Sequence, residues 1–205
     1  SQSYNMIPSD KSPYVPQYLG DQIANNYSMS FDGVNDYFNA GNPSELQFTS
    51  DFSISGWFRS SSATSQRIVS KDDGSNRSYF VQVASDGSIE AAVYTSNTKQ
   101  QNNSVSGFAD GNWHHFVFTF ENGVGTKLYI DNGTATSDSF ANAIDNDSAN
   151  FEIGRREDGS KFFNGQIDEV AIFDTALNAD QIKFDLYQPS LPTGSNKTAD
   201  LENNP

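Results

Sequence analysis

Two histidines, twenty-six carboxylates and no cysteine set the chemistry open to this 205-residue chain. Without cysteine, disulfides, thiolate metal sites and cysteine nucleophiles are excluded. The histidines are neighbours, His114 and His115, in a run that continues to Phe120. Strand alternation sends adjacent side chains to opposite faces, so the pair cannot chelate one ion together and reads as two satisfied structural residues. No Gly-x-Ser-x-Gly elbow and no phosphate-binding loop occurs. Glu152, Glu157 and Glu169 are candidate acid–base carboxylates by residue type alone. Asp145 and Asp147 flank Asn146 but lack the glycine of an EF-hand loop, and read as turn residues. The residues best suited to hold a ligand are Arg77, Tyr79, Tyr94, Arg155 and Arg156. Aromatic faces suit the C–H surfaces of sugars, and guanidinium forks suit carboxylates or sulfates.

Charge narrows the partners. Twelve Lys and Arg against twenty-six Asp and Glu give 12 − 26 = −14. Such a field repels nucleic acid and anionic membrane surfaces, and suits cations, neutral ligands and solubility in salt. No apolar run approaches the length of a membrane span.

The elements that must position these residues are short strands. Phe52, Ile54 and Phe58 share one phase, as do Tyr79, Val81 and Val83, and Phe116, Phe118 and Phe120. Asp86-Gly87, Asn122-Gly123 and Asp131-Asn132-Gly133 are turns between such runs, and Ser70 to Gly74 is another hairpin turn. A late strand covers Gln166 to Phe173. Asn178 caps one short C-terminal helix from Ala179 to about Leu186, with Ile182 and Leu186 facing the body. This pattern predicts an all-β, two-sheet antiparallel β-sandwich of jelly-roll type.

The ends differ in texture. Residues 1–27 hold Pro8, Pro13 and Pro16 with Tyr4, Tyr14 and Tyr18, and read as an extended arm. Residues 188–205 read as a polar linker to a following module. The chain starts at Ser1, as expected of a piece cut from a larger protein, so a missing signal peptide says nothing about secretion. Six Asn-x-Ser/Thr sites occur, at Asn26, Asn76, Asn102, Asn132, Asn146 and Asn196.

Four stretches, in order, carry a family resemblance: Ser30 to Tyr37, Asp51 to Phe58, Asp110 to Gly133, and Phe151 through Gln166-Ile-Asp-Glu-Val170 to Ile182. Together they resemble the laminin-G-like jelly roll of the concanavalin A-like superfamily, over about residues 28–187. The resemblance implies the sandwich fold. It also implies a calcium ion joining a loop near the N-terminus to an Asp near the C-terminal strand, which here would be Asp32, with the Gly33 carbonyl, and Asp168. Asp168 lies in phase with Val170 and Ile172, where a buried carboxylate is costly unless paired or metal-bound. The alternative is that Asp168 and Asp32 only cap turn amides. Glycosidases of the superfamily carry Glu-x-Asp-x-x-Glu on one strand, and that spacing is absent.

The expectation is a non-catalytic recognition or adhesion module, extracellular, on a cell surface or on a virion, holding a glycan or protein with calcium as a candidate cofactor. The second expectation is a phage virion structural or decoration module whose arm clasps neighbouring subunits of a particle. A glycoside hydrolase is the third.

Overall fold

Alternation along the strands decides the architecture. The computed structural model describes residues 27–187, so the arm before Tyr27, the linker from residue 188, Asn26 and Asn196 lie outside the described residues. Twelve strands form two antiparallel six-stranded sheets, with β1 Met29–Asp32, β2 Phe38–Gly41, β3 Phe52–Arg59, β4 Gln66–Asp72, β5 Arg77–Val83, β6 Ile89–Thr95, β7 Thr98–Asn103, β8 His114–Glu121, β9 Gly125–Ile130, β10 Thr136–Ser139, β11 Phe151–Ile153 and β12 Asn164–Phe173. One sheet, here sheet A, runs β1-β12-β3-β8-β9-β10, and the other, sheet B, runs β2-β11-β4-β5-β6-β7.

The inner faces are the phases read from the sequence. In sheet A, Phe52 pairs with Phe120 and Ile54 with Phe118. Gly56 continues that phase opposite Phe116, whose ring would stand 2.9 Å from an added Cβ, so the position admits no side chain. Sheet B answers with Tyr79, Val81, Val83, Ile89, Ala91 and Val93, all wholly buried. Phe52 is the hub between the sheets. Its ring stacks on Phe48 at 4.7 Å and lies 5.1 Å from Tyr79 and 5.7 Å from Phe120.

The outer face of sheet A is roofed by the C-terminal segment. Asn178 and Gln181 form a reciprocal capping box, each side chain accepting the other's backbone N–H at 3.0 Å. The α-helical part, α1, is only Ala179–Gln181, and a π-helical turn follows over Ile182–Tyr187 where a continuous helix was expected. A π turn brings residues i and i+5 to one side. Ile182 therefore packs with Val117, Tyr129 and Leu177 while Tyr187 stacks on Trp57 at 5.8 Å. Ser53 fixes the approach, donating to the Thr175 carbonyl at 2.7 Å and accepting from the Leu177 amide at 2.9 Å.

The expected phase of Asp168 is corrected by a bulge. Asp168 pairs with Trp57 and Ala171 with Ser55, so Glu169 and Val170 together face the single residue Gly56. Glu169 takes φ of 48° at this extra residue. Ile167 and Ile172 thereby reach the same inner face, and Asp168 shares the outer face of Trp57 rather than the phase of Val170 and Ile172.

Truncating the hub tests this packing. Phe52→Ala should lower unfolding stability by about 3–5 kcal/mol, read from urea titration, because the ring lies between both sheets.

Candidate functional site

The site begins with a loop that returns. After β11 the chain turns at Gly154, whose φ is 87° and whose missing side chain leaves room for the Phe31 ring. Residues 154–163 then fold back over the outer face of β4. Gly154 donates to the Ile68 carbonyl at 3.0 Å, Arg67 to the Lys161 carbonyl at 2.9 Å, and Glu157 to the Asp72 carbonyl at 3.2 Å. Arg156 and Ser160 close a tight bridge inside it.

Under this loop the outward residues of sheet B make a polar and aromatic floor. Arg67 is 2% exposed and its guanidinium carbon lies 3.5 Å from the centre of the Phe80 ring. It pairs with the buried Asp72 at 2.6 Å and donates to the Gln82 side chain. Burial pushes the guanidinium down from its ordinary pKa, and the Asp72 carboxylate pulls it back up. Phe80, Ala92 and Tyr94 form a small buried cluster beside it. Arg77, half exposed, lies 5.4 Å over the Tyr94 ring and donates to the Gly74 carbonyl. Arg156 pairs with Asp158, and that bond holds its guanidinium above the ordinary value. Lys161 reaches Gln82 Oε1 at 3.4 Å; burial and then repulsion by Arg67 and Arg156 lower its pKa.

Three of the five expected ligand residues, Arg77, Tyr94 and Arg156, are therefore brought together. Tyr79 is a correction. It faces the core, its hydroxyl donates to the Leu46 carbonyl at 3.1 Å, and burial pushes its pKa far up. Arg155 points elsewhere than its neighbour, bidentate on the buried Glu152 at 2.7 and 2.8 Å and 3.3 Å over the half-exposed Tyr37 ring. Sequence reasoning missed Arg67, Phe80, Gln82 and Lys161. Arg67 and Gln82 pair across β4 and β5 in the outward phase, which is the signal that could have placed two of them.

The acidic candidates are mostly braces. Asp145 accepts the Ser96 and Asn97 amides at 2.7 Å, and Asp147 accepts the Arg77 amide at 2.8 Å. Asp32 accepts the Val34 and Asn35 amides, which lower its pKa. Asp32 pairs with Asn164 on β12, four positions from Asp168, a separation of about 13 Å at strand rise. The donors expected for one calcium ion, Asp32, Gly33 and Asp168, thus do not fit a single coordination sphere, and no cluster of three acidic or imidazole groups suited to a metal occurs among the described residues.

The two histidines behave oppositely. His114 Nδ1 lies 2.7 Å from Asp131 and Nε2 3.0 Å from Asp110. Burial opposes its charge, but these two bonds win and raise its pKa. Asp110, which burial alone would raise, is drawn to about 2 by the Asn112 amide and by His114. His115 packs against both Trp57 and Tyr187, and burial lowers it to about 4.

The signs differ accordingly. The His114 contribution is complete below its unfolded value and disappears as pH rises through the raised one. The Asp110 contribution is complete above its unfolded value and is lost as pH falls toward 2. The His115 contribution is complete above about 6.5 and is lost as pH falls toward 4. Acidification across that last window should lower stability in the parent protein. His115→Phe should flatten the loss and His114→Asn should not; an unchanged slope in His115→Phe would refute the assignment. In melts with calcium and then EGTA, Asp168→Ala should leave any calcium effect unchanged, since register separates it from Asp32.

The geometry agrees with what the chain resembles. The profile of a laminin-G-like family, described as the concanavalin A-like lectin/glucanases superfamily, matches residues 32–183. A zebrafish (Danio rerio) relative, adhesion G-protein coupled receptor V1, is 26% identical over 146 residues, 66% of this chain; the chain spans only 2% of that receptor. Domains LG4-5 of the mouse laminin α1 chain superpose with TM-score 0.58 at 14% identity, covering 74% of this chain and 44% of that one. The CBM40 of the Ruminococcus gnavus IT-sialidase, solved with α2,3-sialyllactose, superposes with TM-score 0.60 at 11% identity, covering 76% of this chain and 95% of that one. With the profile spanning most of the sandwich and both sheets in place, this chain belongs to the laminin-G-like family of the concanavalin A-like superfamily.

Proposed function

We propose that the domain is a non-catalytic recognition module that binds a glycan outside the cell, through the outer face of sheet B. The observation that carries this reading is the convergence of Arg77, Tyr94 and Arg156 with Arg67 and Lys161 under the folded-back loop. Tyr94 is 6% exposed with Arg77 over its ring, so it backs the site while the cations supply the fixed donors that orient a saccharide's oxygens. The carboxylates support the non-catalytic side. Glu152 is wholly buried in its pair with Arg155 and also accepts from Asn39, and Glu157 is held by the amide and side chain of Asn150. Both are spent on structure, where a glycosidase needs two carboxyl groups flanking a bond. No helix among the described residues is long and apolar enough to cross a membrane. The sialyllactose-bound CBM40 shares the fold and adds weight to a sugar ligand.

A glycan array followed by calorimetry on the isolated chain tests this. Arg77→Ala and Tyr94→Phe should keep the melting temperature of the parent, since Arg77 is surface-placed and the Tyr94 ring is retained. Arg77→Ala should weaken binding by roughly five- to tenfold, the weight of one charge-assisted contact. A binding footprint confined to another rim of the sandwich, untouched by Arg77→Ala, would overturn the assignment.

A further inference from the structure

Resting on the glycan-binding reading, we infer that the site selects a saccharide carrying a single anionic group, a carboxylate or sulfate, which docks against Arg156 and Lys161 with Arg67 beneath them and Arg77 at the margin. Four cations meet here. Their partners do not satisfy them. Arg67 and Lys161 both draw on one neutral acceptor, Gln82 Oε1, the second at a long 3.4 Å. Asp72 serves Arg67 and stands 3.8 Å from Arg77, while Asp158 serves Arg156. Glu90, the next carboxylate along the face, is occupied by Gln82 and Lys99.

Two guanidinium edges are left over. Arg67 Nε and Arg156 Nε are buried without a hydrogen-bond partner, two of four such side-chain atoms among the described residues. Both atoms are sealed from solvent, so they are not themselves ligand contacts; they mark a face that carries more cationic donors than acceptors. The Phe80 ring beneath Arg67 and the Asp158 carboxylate beside Arg156 offset those two charges, which leaves Lys161, whose hydrogen-bond acceptor is the neutral Gln82 side chain at 3.4 Å. An oxyanion supplies several acceptor lone pairs at once, where a hydroxyl supplies two and neutralises nothing. The count of charges on the ligand follows from the rest of the chain. A net charge of −14 repels a polyanion at long range, so the local cations suit one charged group on an otherwise neutral sugar.

The experiment uses the full 205-residue chain and four probes: 3′-sialyllactose, a 6-sulfated galactosyl disaccharide, neutral lactose and a heparin fragment. Arg67→Ala would strand Asp72 in a buried setting, so the variants are Arg156→Gln and Lys161→Gln, each checked by its melting temperature. The expected result is that one or both singly charged sugars bind at least about tenfold tighter than lactose or heparin, and that each variant weakens the charged sugar by a larger factor than it weakens lactose, removing most of that preference. Which acid binds tells carboxylate from sulfate. Equal affinity for lactose, unaltered by both variants, overturns the anionic inference while leaving a neutral-glycan site on sheet B. Silence toward every neutral and acidic glycan on an array overturns the inference together with the glycan-binding reading beneath it.

Discussion

The buried ion pair between Arg67 and Asp72 holds the outer face of sheet B together. Its two side chains are almost fully withdrawn from water and meet at 2.6 Å. A pair so placed gains little net stability over an apolar pair of the same shape, yet leaving either member alone costs about 3–5 kcal/mol. Its value is in what Asp72 organises. One carboxylate oxygen takes Arg67; the other takes the Gly74 amide, which shapes the β4–β5 hairpin, and lies near Arg77. The Asp72 carbonyl receives Glu157 and so ties down the returning loop. Four residues, Arg67, Gly74, Arg77 and Glu157, are positioned by one acid.

This arrangement explains why the two sheets carry different duties. Sheet A has its outer face closed by apolar contacts, Val117, Tyr129, Leu177 and Ile182, with Trp57, His115 and Tyr187 stacked alongside. Those contacts are non-directional and tolerate a ligand poorly, because opening them exposes carbon. Sheet B has its outer face closed by hydrogen bonds and charges, which can exchange one acceptor for another at small cost. The aromatic hub at Phe52 couples both sheets from inside, so the polar face rests on a rigid apolar base.

Much of the fold was legible in the sequence, because strand alternation is local. The inner phases of β3, β5 and β8 follow from counting by two, and the turns at Asp86-Gly87 and Asn122-Gly123 use residues suited to their backbone, with φ of 78° and 81° at the glycines. Asp168 was misplaced because one extra residue at Glu169 reverses the count, and nothing in the composition of β12 announces it. Tyr79 shows a different failure. Its phase puts it inward with Val81 and Val83, where a tyrosine packs as a core aromatic whatever its residue type suggests. Lys161 lay beyond reach because its place above Arg67 depends on a loop folding back across nearly a hundred residues of sequence.

The placement of β1 and the C-terminal segment has a consequence for display. Tyr27, at the start of the described domain, leads into the edge strand of sheet A, and Tyr187, at its end, stacks on the outer face of that same sheet. Both ends of the described domain thus belong to sheet A, one at its edge strand and one over its outer face. The outer face of sheet B, where the cations lie, therefore carries neither end of the described domain.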